Sequence, residues 1–217
     1  MKPEFIYAIE SSTVEKLLPL RTGHMDFCPA VISSVHEMAK GLILGRRDRL
    51  ETNESYRQII PYIALQRQDG AILTYRRTSS SSEARLIDSV SVGFGGHIDL
   101  MDGYIGENQT SLLVAIVIAA TREMKEELDF DISGMTARID QLFKGYIVDD
   151  STPVGRVHLG CAIVIPVSMS GAERIASNES HVDLVDWLTP AQLLENDGTR
   201  FNLEPWSKLI IEALNEE

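Results

Sequence analysis

The chain has 217 residues, 44% of them hydrophobic and 24% charged, with a formal net charge of −12. This is the composition of a folded protein with a filled core, not of a disordered chain. The acidic surplus argues against coating nucleic acid or an anionic membrane, since neither polyanion is drawn to such a surface, but a small phosphorylated substrate bridged by metal ions stays compatible with it.

Met1 to Glu10 contains Glu4 and no sustained apolar stretch, so no secretory signal is expected there. Residues 1–56 read as an N-terminal α/β extension packed on a larger domain at 57–217. Within the extension, Val31 to Leu42 has the spacing of an amphipathic helix, and Arg46-Arg47-Asp48-Arg49 is a charge cluster, either solvated or in contact with substrate phosphates. Cys28 and Cys161 are too few for a disulfide framework and lie in no C-x-x-C, which fits buried inert thiols and a cytoplasmic location.

Ile59 to Gln66 and Ala71 to Arg76 are apolar and β-prone, and Asp69-Gly70 between them predicts a hairpin. The serine run from Thr78 to Ser82 predicts a loop. A further strand is expected at Ser89 to Phe94, ending in Gly95-Gly96, and Leu100 to Thr110, rich in Gly, Asp and Asn, reads as loop. Thr110 or Ser111 can cap a helix that runs to about Leu128, because a short hydroxyl side chain accepts a free N–H of the first turn. The first half of that helix is apolar all round, which predicts burial between other layers. It contains the longest apolar run, the nine residues Leu112 to Ala120, against the roughly 20 needed to span a bilayer. Strands are expected at Ala137 to Val148, Val157 to Val167 and Val182 to Leu188, with helices at Pro190 to Leu194 and Pro205 to Leu214. Together these elements predict an α/β fold with helices layered on a mixed sheet.

The long helix ends Arg122-Glu123-Met124-Lys125-Glu126-Glu127-Leu128. At about 3.6 residues per turn, Glu123, Glu126 and Glu127 fall within roughly a 100° arc. Like charges one turn apart, near the negative end of a helix, repel one another, so the arrangement suits a bound cation; a solvated charged face is the alternative. Arg122 stands one turn before Glu126, where an ion pair can hold that carboxylate and leave Glu123 and Glu127 freer to bind.

Gly95-Gly96, a loop, and a helix ending R-E-M-K-E-E-L resemble the signature of the Nudix (MutT-like) hydrolase family, G-x5-E-x7-R-E-U-x-E-E-x-G-U, where U is a bulky apolar residue. Arg122, Glu123, Met124, Glu126 and Glu127 match its helical half without a gap. The chain departs from it in three places. Gly95 and Arg122 stand 27 positions apart, roughly thirteen more than in the signature. The first signature Glu would fall on Val114, with Glu107 as the nearest loop candidate and Asp99 or Asp102 as alternatives. Asp129-Phe130 replaces the closing Gly-U. A wider likeness to the predicted phosphoesterase subgroup of Nudix proteins runs through Gln58 to Tyr62, Glu83 to Leu86, Ser91 to Asp99 and Pro153 to Gly160.

The resemblance implies a Nudix-like α/β/α sandwich around a mixed β-sheet. It implies Mg2+ or Mn2+ held by Glu123, Glu126 and Glu127, with a backbone carbonyl at Gly95 or Gly96 completing the shell. The implied activity is that of a pyrophosphohydrolase, in which water cleaves a phosphoanhydride in a nucleoside diphosphate-linked compound or related organic pyrophosphate. Such metals bind carboxylate and water oxygens, neutralise phosphate oxygens and orient the water. A general base must then lie off the helix, with Glu179 the first candidate and Asp149-Asp150 the second. His97 and His158 are candidates for phosphate contact or proton transfer, against the alternative of hydrogen-bonded structural histidines. Among Arg76, Arg77, Arg85 and Arg156, the last two are preferred as phosphate clamps because they sit in the resembling segments. Trp187 and Trp206 read as packing residues, with base stacking as the other reading. The expected partner is a small, nucleotide-like phosphorylated molecule, with no nucleic-acid polymer, no membrane, and a homodimer allowed. The competing reading is a Nudix-fold nucleotide sensor or interaction module without turnover.

Overall fold

The structure is a computed structural model, and it describes residues 3–18, 25–29, 32–77, 89–103, 111–179, 182–200 and 202–216. The first part of the chain forms β1 (Phe5–Glu10), α1 (Ser11–Leu17), β2 (Met25–Pro29), α2 (Ile32–Met38), β3 (Leu42–Arg46) and α3 (Arg47–Leu50). The centre holds β4 (Tyr56–Arg67), β5 (Ile72–Arg77), the two-residue strands β6 (Val90–Ser91) and β7 (Gly93–Phe94), and α4 (Leu112–Leu128). There follow α5 (Ile139–Leu142), β8 (Phe143–Asp149), β9 (His158–Val167), α6 (Met169–Ala172), β10 (Val182–Leu188), α7 (Pro190–Glu195) and α8 (Pro205–Glu216).

Among the described residues the strands form one sheet in the order β10-β5-β4-β9-β8-β2, with β1 joining β3 to β4, β6 on β5 and β7 on β4. β4 and β9 run parallel along ten residues, Gln58 opposite His158 through Arg67 opposite Val167. The other named strand pairs are antiparallel. Residues 1–56 thus supply β1, β2 and β3 to the same sheet. Side chains alternate across β4 with period two. Ile59, Ile63 and Leu65 pack with Ala115, Ile116 and Ala119 of α4, whereas Tyr62 and Ala64 pack with Ile210 and Ile211 of α8. One sheet between two helical layers is the expected sandwich.

The α4 termini follow from local chemistry. Ser111 Oγ accepts the Val114 N–H at the start, and Asp129 ends the helix in the left-handed conformation, φ 50°. Asp129 occupies the place where the signature has Gly, and its N–H returns to the Lys125 carbonyl while its carboxylate pairs with Lys125. The hairpin turn likewise has its left-handed residue at Gly70, φ 86°.

Four expectations are corrected. The apolar half of α4 is an outer layer, not an element buried all round: Val114 is 47% and Ile118 40% exposed. The strand expected from Ala137 begins at Phe143, because Asp131 accepts the Ser133 N–H and starts a 3-10 turn, Ser133–Arg138, that runs into α5. The helix expected over Val31 to Leu42 stops at Met38. A tight turn follows at Ala39–Gly41, where a Cβ on Gly41 would stand 2.3 Å from Thr13 Oγ1, and β3 begins at Leu42. The strand expected at Ser89 to Phe94 is split in two, one half on β5 and the other on β4. No helix among the described residues is long and apolar enough to cross a membrane.

Candidate active site

β7 leads into Gly95 and Gly96, and at both glycines the backbone approaches a neighbour closely. A Cβ on Gly95 would lie 1.9 Å from the Pro61 carbonyl oxygen, and one on Gly96 would lie 2.4 Å from Glu123 Oε1. The Glu123 carboxylate therefore rests against the bare backbone of Gly96. Glu123 and Glu127, one turn apart on α4, both face a cavity of about 680 Å³ that Gly95, Gly96 and His97 also line. Both glutamates are largely withdrawn from solvent. Burial raises the Glu123 carboxyl above its ordinary value, and the neighbouring Arg122 opposes that rise only in part. Glu126 is different: its side chain is 55% exposed, and it lies outside the cavity lining.

Arg122 ties the region together. Its Nε and Nη2 donate to the two oxygens of Asp102 at 2.9 and 2.8 Å, its Nη2 also to the His97 carbonyl at 2.9 Å, and its Nη1 to Glu123 at 2.6 Å and Glu126 at 3.4 Å. Asp102 is 2% exposed and belongs to a short turn in which Asp99 and Asp102 each accept the other's backbone N–H. Of the acids considered for the displaced first Glu, Asp102 is the one that meets Arg122. Glu107 lies outside the described residues.

His97 and His158 both line the cavity, with ring centroids 5.7 Å apart. His158 Nδ1 stands 2.7 Å from the Val154 carbonyl, and since a carbonyl only accepts, the proton is on Nδ1. Burial lowers His97 to about 3, helped by the charges of Arg47, His158 and Arg122, so its imidazole is neutral. Asp149 lines the cavity too, but it accepts hydrogen bonds from the Ser151 N–H and the Ser151 and Thr152 hydroxyls and braces its own loop. Asp150 pairs with Arg57.

The remaining candidates stand apart. Arg156 pairs with Glu54 at 2.8 Å and does not line the cavity, and neither does Arg76. Arg85 lies outside the described residues. Glu179 is exposed, on a loop that Asn178 ties to the end of α4 through the Glu126 and Glu127 carbonyls at 3.0 and 2.8 Å, and it is not in the lining. Trp206 packs edge-on against Tyr62 at 5.7 Å and forms part of the cavity wall, whereas Trp187 packs on the core under the Arg67 guanidinium. Glu204 was not singled out by sequence reasoning: it accepts from the Tyr62 hydroxyl at 2.6 Å and from Ser207, capping α8 at the cavity's edge. Arg47 and Glu4 also line the cavity. The arginine-rich cluster points to this corner of the chain but not to which arginine faces inward.

Among the described residues no three His, Cys, Asp or Glu side chains already converge as a metal cage. Two carboxylates beside the Gly96 backbone nevertheless fit a divalent ion, since Mg2+ ordinarily takes one or two protein carboxylates and completes its shell with water and phosphate oxygens. The cradle that a Cβ at Gly96 would fill is consistent with that use.

No protein-family model matches the chain. Protein YmaB of Bacillus subtilis is 28% identical over 169 residues, which are 78% of this chain and 76% of YmaB. Among solved structures, Tm1382, a candidate Nudix hydrolase, superposes with a TM-score of 0.71 and 23% identity over 99% of this chain and 100% of its own. DR0079 from Deinococcus radiodurans superposes more loosely, with a TM-score of 0.49 and 19% identity over 81% of this chain and 90% of its own.

Proposed function

We propose that this chain, which has the Nudix fold, is a divalent-metal-dependent pyrophosphohydrolase that cleaves a phosphoanhydride in a nucleoside diphosphate-linked compound or related organic pyrophosphate. The observation that carries the reading is the pair of buried carboxylates, Glu123 and Glu127, facing one cavity against the glycine backbone at 95–96. Mg2+ or Mn2+ would be held by Glu123 and Glu127, joined by Glu126 from the exposed edge of the same helix. When bound, it would neutralise phosphate oxygens and make water a better nucleophile.

The chain's own residues have separate tasks. Arg122 holds Glu123 in place through a guanidinium anchored on buried Asp102. Neutral His97 offers a hydrogen bond to a phosphate oxygen or water without adding charge, and His158, whose Nδ1 is engaged by the Val154 carbonyl, would meet water or substrate through Nε2. Trp206 offers an aromatic wall for a base or another apolar group of the substrate. The cavity volume is that of a typical small-molecule site. Two buried thiols in no disulfide, Cys28 and Cys161, support a cytoplasmic location for this activity.

The test is a panel of nucleoside triphosphates, ADP-ribose, NADH, dinucleoside polyphosphates and prenyl pyrophosphates, assayed with Mg2+, with Mn2+ and with a chelator. Metal-dependent release of a phosphate-bearing product is expected, with Glu127→Gln lowering kcat by roughly a hundredfold. Absence of turnover on every compound, or a Glu127→Gln enzyme equal to wild type, overturns the reading. The second reading, a nucleotide-binding module without turnover, is favoured by the lack of a ready-made three-ligand group among the described residues. Tight nucleotide binding with no product at high metal concentration would select it.

A further inference from the structure

We infer that Arg47, supplied by the N-terminal segment, binds a phosphate oxygen of the substrate, and that Glu4 holds its guanidinium ready until the substrate replaces that contact. The inference rests on the reading that the cavity receives an organic pyrophosphate.

The fold brings Arg47 to the cavity by main-chain pairing. β1 lies between the loop after Gly96 and β3: Ile6 bridges Asp99, Tyr7 N–H donates to the Ile98 carbonyl at 2.9 Å, and Phe5 stands opposite Arg46. Arg47 N–H in turn donates to the Glu4 carbonyl at 2.9 Å. Leu50 of α3 packs with Ile6 and Ala8, which anchors the short helix that carries Arg47. Glu4 and Arg47 thereby form a cavity wall beside His97 and Asp99.

The charges around the cavity leave this arginine a task. Its described acids are Glu4, Asp99, Glu123, Glu127, Asp149 and Glu204, and its described arginines are Arg47 and Arg122. Arg122 already spends its donors on Asp102, Glu123, Glu126 and the His97 carbonyl. A diphosphate entering so acidic a space needs a cation in addition to any ion at Glu123 and Glu127. Arg47 has the capacity to be one. Its Nε donates to Glu51 at 3.1 Å and its Nη1 to Glu4 at 3.2 and 3.3 Å, while Nη2 makes no hydrogen bond among the described residues. Both acids are about half exposed, at 41% for Glu51 and 50% for Glu4. Such solvated contacts are weak, and a phosphate matching the guanidinium fork can replace them.

The experiment compares wild type, Arg47→Met, Arg47→Lys, Glu4→Gln and Arg46→Met by titration calorimetry with methylenediphosphonate plus Mg2+, and by kinetics on any panel compound that turns over. Arg46 pairs with Asp48 on the exposed side and is not in the lining, so it serves as the control. Arg47→Met is expected to raise Kd and KM roughly tenfold or more while kcat changes less. Arg47→Lys should recover part of the loss, and Glu4→Gln should tighten binding. Melting curves confirm that each variant is folded. If Arg47→Met matches wild type and Arg46→Met, the inference is overturned while the hydrolase reading stands. If wild type binds the diphosphonate but hydrolyses nothing, the hydrolase reading falls, and the Arg47→Met affinity alone decides on Arg47. If wild type neither binds nor hydrolyses, both are overturned.

Discussion

Asp102 and Arg122 meet in a two-pronged ion pair, 2.8 and 2.9 Å, with the carboxylate 2% exposed. The pair joins the turn after Gly96 to the helix that carries Glu123 and Glu127. Removing one side of a buried, hydrogen-bonded pair leaves the other without compensation. Because Arg122 is 29% exposed, the lower end of the usual range applies, and Asp102→Ala should cost about 3 kcal/mol in urea denaturation. The same variant should lower kcat, because Arg122 loses the anchor from which it orients Glu123. A variant as stable as wild type would show that the pair is no brace.

The two glycines separate stability from activity. At Gly95 the obstacle to a Cβ is the Pro61 carbonyl, which is backbone of the interior strand β4, so Gly95→Ala must force main chain apart and should destabilise by about 2 kcal/mol or more. At Gly96 the obstacle is the end of the Glu123 side chain. Gly96→Ala should therefore change the melting temperature little and lower kcat at least roughly tenfold, as a shifted catalytic group does. Thermal melts and steady-state kinetics on both variants check the contrast, and equal effects on both properties would contradict it.

Much of this was legible in the sequence where local chemistry decides. The Ser111 cap, the α4 end at Leu128, the Asp69-Gly70 hairpin and the β10 limits Val182 and Leu188 all follow from capping residues, turn residues and period-two patterning. Glu123 and Glu127 shared a helix face as spacing demanded, and the expected Arg122–Glu126 contact forms at 3.4 Å, but spacing could not show that Arg122 would pair more closely with Glu123, at 2.6 Å, instead of leaving it freer. That choice depends on Asp102, which sits across a loop whose path no local rule specifies. The apolar half of α4 reads alike whether a second layer covers it or not, so the exposure of Val114 and Ile118 was not legible. Arg47 reaches the cavity only because β1 pairs with β3, β4 and the 98–99 segment, a long-range fact absent from its own neighbourhood.

Gln58 is a polar residue buried at a cost. It is fully buried on β4, between Ala8 of β1 and His158 of β9, and neither its amide oxygen nor its amide nitrogen has a hydrogen-bond partner among the described residues. An orphaned buried amide forfeits its hydration without return. Gln58→Leu, close in volume, should leave urea stability unchanged or raise it by about 1 kcal/mol. A loss above that size would mean that the amide is satisfied.

Three buried, weakly acidic groups should make the fold less stable at alkaline pH. Burial pushes Cys161 up to about 12 and Tyr62 well above 10.0, with the Glu204 charge adding to the Tyr62 rise. Tyr146 is raised as well, first by burial and then by Cys161, against the lowering effect of its hydrogen bond with Ser34. Each group is neutral when protonated and keeps its proton longer in the folded chain than in the unfolded one. The unfolded chain therefore binds fewer protons above the ordinary thiol and phenol values, and stability must fall as pH rises. Their contribution is fully present below pH 9.0, the ordinary Cys value, and is lost progressively from there to about 12 for Cys161, with the two tyrosines beginning near 10.0. Melting temperatures taken from pH 8 to 11 should decline, and Tyr146→Phe, which keeps the ring and removes the ionisable hydroxyl, should decline less steeply. Parallel curves for the two proteins would rule out Tyr146 as a contributor.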